Sequence, residues 1–422
     1  METPMTPDAA CCDDYRLSRR TLLRSAGAAA AAGAVTSVFG GAVVQTVYGA
    51  TPGQGNVLLL LSLRGGVDGM SMVVPYAEKS YYAARPSIAV QASRLIATDG
   101  TFGLHPAFAP LEQMWTSRRF AAIQAVGLPV ANRSHFEAME LIEDADPTSD
   151  ERVGWVNRMI AGFGSTDPFE GVHLSGPQTP TALYGPEPTL ATSDLADLDL
   201  PYAWDSGLRT RLRSAFGSLY AGRDDLAGDG GSLALAVADR ARRSAVTVKP
   251  QGGASYSGDD LGKALAQAAA SVRSGLGVRA LSIDYGSWDH HEGLAGRMSV
   301  MVANLARNLA AFFDDLGDLG DRVTVVTMSE FGRRLQQNGS AGLDHGHGNC
   351  VLVLGGGVRG GQYYGTWPQL ASGDLLDADL AVTTDFRAVL AEILDRRFPE
   401  VSLASVFPGA GYSRASALGF VA

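Results

Sequence analysis

Uninterrupted apolar segments of strand length are the feature that most constrains the fold of this chain. Val57–Leu63 reads VLLLLSL, and comparable segments cover Phe120–Val126, Val278–Ile283, Val323–Thr327 and Cys350–Leu354. A strand that is apolar on both faces is typical of a parallel sheet, because helices cover both of its faces. The segments therefore predict an α/β fold with a doubly wound, mostly parallel sheet flanked by helices.

An amphipathic segment between two of these strands indicates the same topology. Val302–Leu316 has apolar residues at helical spacing and lies between Val278–Ile283 and Val323–Thr327. A strand, a helix and a second strand in this order form a βαβ unit with parallel strands. Residues 206–275 are also helical in pattern, with a predicted break at 227–231.

The predicted domain organisation has two parts. Residues 1–50 form a signal segment, and residues 51–422 form one α/β domain, which is long enough for a large core. Residues 165–275 are predicted as an insertion into that domain. The first part of it, 165–205, is rich in Pro, Gly and Thr, and the remainder is helical.

Residues suited to metal binding follow the predicted strands. In open α/β sheets, ligands bind beyond the carboxyl ends of the strands. Carboxylates mixed with imidazoles are typical of zinc and manganese sites, whereas calcium and magnesium prefer all-oxygen sites. The sequence therefore predicts a site for divalent metal ions, with zinc or manganese preferred and calcium or magnesium as alternatives. The candidate ligands are Asp68, Asp289, His291, Glu330, Asp344, His345 and His347.

Two positions allow a structural and a functional interpretation. Ser134 follows a predicted strand and precedes a predicted helix, so its hydroxyl can cap that helix in the string Ser-x-x-Glu that ends at Glu137. It can also be a nucleophile, with helix-end amides and Arg133 holding an anion beside it. From the string alone the capping role is preferred. Asp68 precedes a glycine, so it can be either a turn residue or a metal ligand.

The N-terminus predicts export. Ser18–Arg24 reads SRRTLLR, which matches a twin-arginine signal, and an uncharged segment rich in Ala and Gly follows it to about Ala50. That segment is too weakly apolar for a stable membrane span. The expected partner during export is the twin-arginine translocase. The expected location is the periplasm, the cell surface or the medium.

Charge and cysteine content exclude several other classes. The formal net charge is −10, and no basic patch with interleaved aromatic residues occurs, so nucleic acid is not an expected partner. The acidic balance also argues against binding to an anionic membrane surface. Removal of the signal takes away Cys11 and Cys12 and leaves Cys350, so no intrachain disulfide is predicted.

Several strings between residues 57 and 398 resemble the exported bacterial family known as domain of unknown function 1501. They are LRGGVDG, RSHF, GWVNR, WDHH, SEFGRR with DHGHG, and TTDFRAVLAEIL. That family is similar to the alkaline phosphatase and sulfatase superfamily. The resemblance implies a doubly wound α/β sheet with metal ions at its C-terminal edge.

The resemblance also implies a role for each matching residue. Asp68 matches a metal-bridging aspartate, and Ser134 matches a nucleophile at a helix start. Asp289 and His291 match the acid and the histidine of one metal site. The final histidine of the superfamily corresponds to His345 or to the histidine two residues later, His347.

One position departs from the superfamily pattern. Glu330 stands where the superfamily usually has the aspartate of an Asp-His pair, but Phe331 follows it instead of a histidine. Asp344 and His345 in the next loop would then supply the missing imidazole. Because of this departure, the site can hold two metal ions, hold one, or be degenerate.

The expected function is an exported metal-dependent hydrolase of a phosphate or sulfate ester, with a small-molecule or polymer substrate. Ser134 would attack, Arg133 would hold the anion, and the carboxylates and histidines would hold the metal ions. A non-catalytic binding or assembly protein with a degenerate or structural metal site is the alternative, which the missing histidine after Glu330 favours. A carbohydrate-binding protein that uses residues 165–205 ranks last, because aromatic side chains are sparse there.

Overall fold

The computed structural model describes residues 55–146, 151–200, 205–223, 225–243, 248–409 and 412–422. The predicted signal segment, residues 1–50, lies outside these ranges, as do Cys11 and Cys12. Within the described residues, 205–236 cluster as one compact unit and the remainder forms a second, larger unit. No helix in the described ranges is both long and apolar enough to cross a membrane.

The larger unit is an α/β structure built on a mixed nine-stranded sheet. The sheet order is β10-β4-β9-β8-β1-β7-β5-β6, with β11 also paired to β4, and β2 pairs separately with β3. The strands are β1 Val57–Leu63, β2 Val73–Val74, β3 Gly103–Leu104, β4 Phe120–Gly127, β5 Gly171–His173, β6 Leu190–Ala191, β7 Ala280–Tyr285, β8 Val323–Met328, β9 Asn349–Gly355, β10 Tyr363–Tyr364 and β11 Thr384–Asp385.

The described residues form eleven α-helices across the two units. They are α1 Gly69–Met72, α2 Lys79–Ala84, α3 Glu112–Thr116, α4 His135–Asp144, α5 Trp155–Ala161, α6 Ser206–Tyr220, α7 Leu226–Arg243, α8 Asp260–Arg273, α9 Leu294–Leu316, α10 Phe386–Arg397 and α11 Leu403–Val406.

The five apolar segments all form strands of the main sheet, but one of them runs against its neighbours. β1 is fully buried and pairs in parallel with β7 on one side and with β8 on the other. β9 is antiparallel to both β8 and β4, so the sheet is mixed. The apolar segment of β9 is compatible with either direction, because burial on both faces gives the same pattern in a parallel and an antiparallel strand.

The helix α9 connects β7 to β8, which lie on either side of β1, as the amphipathic pattern predicts. The predicted break at 227–231 is wrong, because α7 continues through these residues. Each glycine costs a helix about 1 kcal/mol relative to alanine. Packing explains the glycine at position 231, since a Cβ there would collide with the ring of Tyr220.

Residues 165–200, predicted as part of an insertion, contribute to the main sheet. β5 pairs in parallel with β7, and β6 pairs in parallel with β5. This segment therefore extends one edge of the sheet.

Candidate metal centre

Loops from several parts of the chain meet at one edge of the main sheet. β1, β7 and β8 are parallel and end together, with Leu63 opposite Tyr285 and Ser62 opposite Met328. β9 runs the other way, so the loop before Asn349 reaches the same edge. β4 is antiparallel to β9, and its C-terminal loop arrives there too. The strand directions thus bring the predicted site loops together.

Three imidazoles and one carboxylate converge at this edge. The Nε2 atom of His345 lies 2.9 Å from Nε2 of His135 and 3.1 Å from Nε2 of His291. Asp289 Oδ1 lies 2.9 Å from His291 Nε2 and 3.3 Å from His345 Nε2. His135, Asp289 and His345 each offer a ligand atom, and these three atoms lie within 4.8 Å of one another.

The other nitrogen of each imidazole faces an acceptor. His135 Nδ1 lies 2.7 Å from Glu330 Oε1, and His291 Nδ1 lies 3.1 Å from Asp344 Oδ1. His345 Nδ1 lies 2.9 Å from a backbone carbonyl oxygen, that of residue 133. A carbonyl or carboxylate oxygen accepts only, so each Nδ1 carries the proton and donates it. In the neutral form of these imidazoles, the three Nε2 atoms present lone pairs to one another.

This arrangement fits a bound cation. Two imidazole lone pairs that face each other at 2.9 Å repel unless a positive charge lies between them. Two nitrogen ligands on one tetrahedral zinc ion lie about 3.3 Å apart, since each Zn–N bond is about 2.0–2.1 Å. Hydrogen bonds from Nδ1 to carboxylates and carbonyls are also typical of metal-binding histidines. The donor set, its spacing and its supporting acceptors all fit a divalent metal ion.

A buried arginine holds Asp289 in this cluster. Arg333 Nη2 donates to Asp289 Oδ1 at 2.6 Å, and Arg333 also donates to the carbonyl oxygens of Gly66 and Leu343. Burial acts to raise the pKa of Asp289, but the hydrogen bond and the charge of Arg333 outweigh it and lower the pKa to about 2. Asp289 is therefore an anion at any physiological pH.

The cluster opens to solvent on one side. The side chains of Asp289 and His291 are 45% and 44% exposed, whereas those of His135 and His345 are 27% and 24% exposed. Burial lowers the pKa of His345, although its hydrogen bond to a backbone carbonyl acts in the opposite direction. His345 is thus neutral and able to bind a metal at neutral pH, and a ligand from solvent can reach the centre.

Close backbone pairing brings Glu330 and His345 together. Gly332 N donates to the carbonyl oxygen of His347, and Gly346 N donates to that of Gly332. A Cβ on Gly346 would collide with the backbone of Arg333. The glycines of the strings SEFGRR and DHGHG thus allow two loops to pair without a gap.

Two of the predicted metal ligands lie in other environments. Both carboxylate oxygens of Asp68 accept from Arg85, at 2.6 and 3.1 Å, and both side chains are buried. His347 is buried as well, and its Nε2 donates to the carbonyl oxygen of Leu128 at 2.8 Å. Neither residue joins the group of His135, Asp289 and His345. In this structure the carboxylate of Asp68 is paired with Arg85, and the imidazole of His347 is bonded to the backbone.

Glu330 and Asp344 belong to the site as partners of its histidines. Glu330 Oε1 accepts from His135 Nδ1 and also from the backbone nitrogen of Gly65 at 2.8 Å. Asp344 accepts from His291 Nδ1 and from Asn338. Both carboxylates orient an imidazole in this structure.

The predicted catalytic pair lies beside the cluster. Ser134 is the N-cap residue of α4, but its hydroxyl makes no capping hydrogen bond, so the preferred capping interpretation is wrong. The Arg133 side chain donates to Asp379, whose carboxylate is buried, with an Nε–Oδ2 distance of 3.1 Å. The guanidinium therefore faces a carboxylate of the protein in this structure, while the hydroxyl of Ser134 forms no hydrogen bond with the described residues.

Two residues of the site escaped the sequence analysis. His135 follows Ser134 in the string RSHF, where the serine alone was assigned a role. The rule applied to the other loops would have found it, since His135 also follows a buried strand. Arg333 gives no such signal, because nothing in the string SEFGRR distinguishes a buried arginine from an exposed one.

A sequence model of the family described as "Protein of unknown function (DUF1501)" matches residues 229–406. This range includes Asp289, His291, Glu330, Asp344 and His345 and supports the resemblance to that family. It does not include His135, the third imidazole of the cluster. The chain matches no curated protein.

Proposed function

We propose that this protein is an exported, metal-dependent hydrolase of phosphate or sulfate esters. The observation that carries the proposal is the convergence of three imidazole Nε2 atoms, each fixed by an acceptor on its Nδ1. His135, His291, His345 and Asp289 would hold the ion. A set of three nitrogens and one oxygen favours zinc, then manganese, over calcium or magnesium.

The centre would hold one ion. A two-ion site of the superfamily type needs a bridging carboxylate, and the resemblance assigns that role to Asp68. The carboxylate of Asp68 is instead paired on both oxygens with Arg85, and both groups are buried. Breaking such a pair costs about 3–5 kcal/mol, because a buried charge is left without a partner. The guanidinium of Arg85 thus takes the place of a second cation.

The chain's own groups would divide the remaining work. A bound divalent ion would polarise the ester and lower the pKa of water or an alcohol next to it. Ser134 would be the attacking group, since its hydroxyl forms no hydrogen bond with the described residues and the next residue is the proposed ligand His135. Arg133 would act chiefly through its backbone, because its carbonyl oxygen orients His345 and its side chain is held by Asp379.

A non-catalytic protein with a structural metal ion is the second candidate. Structural zinc sites are closed by four protein ligands, whereas catalytic sites keep a position for water. Three histidines and Asp289 suffice to close a tetrahedral site. The exposure of Asp289 and His291, at 45% and 44%, favours the catalytic candidate, because water or substrate could reach the ion from that side as a fifth ligand.

The decisive experiment measures metal content and turnover on the same protein. The exported form is purified, its metal content is determined by mass spectrometry, and hydrolysis of aryl phosphates and aryl sulfates is followed. We expect one ion per chain and turnover that chelation abolishes and zinc or manganese restores. A protein that retains no ion and shows no turnover after zinc, manganese or calcium is added contradicts the proposal.

A serine substitution separates the two candidates. Ser134→Ala should retain the metal ion and lose turnover if the hydroxyl attacks the ester. Ser405→Ala is the matched control, since Ser405 is exposed and lies on α11, away from the cluster. A wild-type protein that binds one ion, loses thermal stability on chelation and hydrolyses neither ester class would favour the structural candidate.

A further inference from the structure

A cavity lined by arginines lies at the opposite ends of the strands from the metal cluster. Its volume is about 560 Å³, and its walls are the turn before β4, the segment before β8 and the glycine-rich loop after β9. The metal loops precede Asn349, at the start of β9, and the cavity begins at Gly355, at its end. Seven residues of strand separate the two places by roughly 20 Å.

The cavity has an excess of positive charge in an acidic protein. Arg118, Arg119 and Arg359 line it, and Asp321 is the acidic residue among its lining. The cavity therefore carries a formal charge of about +2, from three cations and one anion, in a chain whose net charge is −10. A concave surface of this charge attracts small anions and repels cations.

Two of the three guanidinium groups at the cavity have no partner within the described part of the chain. Arg118 and Arg359 are exposed, and their side chains form no ion pair or hydrogen bond with the described residues. The guanidinium of Arg119 forms an ion pair with Asp321, with 3.0 Å between Nη2 and Oδ1, so its charge is already balanced. A bound oxyanion would therefore pair with the guanidinium groups of Arg118 and Arg359.

The walls of the cavity are held in fixed relation by the backbone. Gly355 N donates to the carbonyl oxygen of Arg119, and Gly360 N donates to that of Arg118, each at 2.8 Å. A Cβ on Gly360 would collide with the backbone of Phe120. Arg118 has a φ of 60°, a left-handed conformation that is uncommon for arginine. The arginines are thus presented by a rigid, glycine-dependent wall.

We infer that this cavity binds a small organic anion carrying a phosphate or sulfate group. Guanidinium groups pair with such groups through two parallel hydrogen bonds. A volume of about 560 Å³ exceeds that of a bare oxyanion and lies in the range of small-molecule sites. The lining of backbone, Ser117 and Gln362 suits a polar remainder better than an apolar one. The inference does not depend on the proposed hydrolase activity.

The test uses chelator-treated, full-length exported protein, so that phosphate cannot bind at the metal cluster. Binding of inorganic phosphate and pyrophosphate is measured by calorimetry at constant ionic strength, and amide shifts of Gly355–Gly361 are followed by NMR. Removing both unpaired guanidinium groups in Arg118→Gln/Arg359→Gln should weaken binding at least about tenfold. The amide shifts of the glycine-rich loop should disappear with it.

Arg297→Gln is the matched control, because Arg297 is an exposed arginine paired with Glu292 on another surface. Its phosphate affinity should equal that of the wild type. Equal affinity in the double variant and the wild type would overturn the inference, as would phosphate binding that leaves the glycine-rich loop unshifted. Circular dichroism of the double variant establishes that it is folded, and Arg359→Gln alone serves if the double variant is not.

Discussion

The carboxylate of Glu330 should control metal affinity without touching the metal ion. It is buried and accepts three hydrogen bonds, from His135 Nδ1 at 2.7 Å, from Gly65 N at 2.8 Å and from Ser329 Oγ at 3.1 Å. The first of these fixes the tautomer of His135 and increases the electron density on its Nε2. Loss of such a partner typically weakens metal affinity about 10- to 100-fold, or about 1.4–2.7 kcal/mol.

The structure predicts which of two substitutions at Glu330 weakens metal affinity more. In Glu330→Gln, the amide oxygen can replace Oε1, which accepts from both His135 and Gly65, and the amide NH2 can donate to Ser329. The hydrogen bonds survive and only the charge is lost, so we expect a loss of about tenfold. Glu330→Ala removes every acceptor and frees the imidazole to rotate, so we expect a loss of about 100-fold.

The assay is zinc competition against a chromophoric chelator at pH 7.5. His347→Ala is the matched control, because His347 is a buried histidine of the adjacent loop whose imidazole bonds, within the described residues, to the carbonyl oxygen of Leu128 alone. It should lower thermal stability and leave zinc affinity unchanged. The reasoning fails if wild type, Glu330→Gln and Glu330→Ala bind zinc equally, or if His347→Ala weakens zinc binding as much as Glu330→Ala does.

Three further predictions address other parts of the chain. The pKa of Asp289 is lowered to about 2, so its ionised carboxylate stabilises the fold fully above pH 4 and this contribution is lost as the pH falls toward 2. In urea unfolding, the difference in free energy of unfolding between wild type and Asp289→Asn should therefore decrease from pH 4 to pH 2. Arg85→Met leaves Asp68 buried and unpaired and should destabilise the fold by about 3–5 kcal/mol in urea, with metal stoichiometry unchanged. Replacing Arg19 and Arg20 with lysines should block export, measured by cell fractionation, if the signal uses the twin-arginine route.

Strand positions were predictable from the sequence, and strand direction was not. Val57–Leu63 has the predicted bounds, and Val323–Met328 extends the predicted strand by one residue. A strand buried on both faces shows its extent through continuous apolar character. The same character hides its direction, which is why the antiparallel course of Asn349–Gly355 was not foreseen.

The residue types of the site were predictable, whereas the partners of individual residues were not. The loops after the strands were identified, and Asp289, His291 and His345 do converge. Asp68 also lies in a loop after a strand, but its carboxylate is paired with Arg85. Which charges pair inside a protein depends on side-chain packing in three dimensions, and no local string carries that information.

The position of His135 changes the meaning of the departure at Glu330. The superfamily pattern takes an acid and a histidine from one loop, and the absence of a histidine after Glu330 suggested a degenerate site. In the structure the imidazole comes from the start of α4, and Glu330 holds it through Nδ1. The acid is retained as an orienting group, so the departure alone is no evidence that the site is degenerate.

This exchange also couples the proposed nucleophile to the metal centre. His135 and Ser134 are consecutive, and the carbonyl oxygen of Arg133 accepts from His345. Three successive residues thus connect the serine to two of the imidazoles that we propose as metal ligands. A shift of these imidazoles on metal binding can therefore be passed to the backbone of Ser134 through two covalent neighbours. The position of the proposed attacking hydroxyl would then depend on the bound ion.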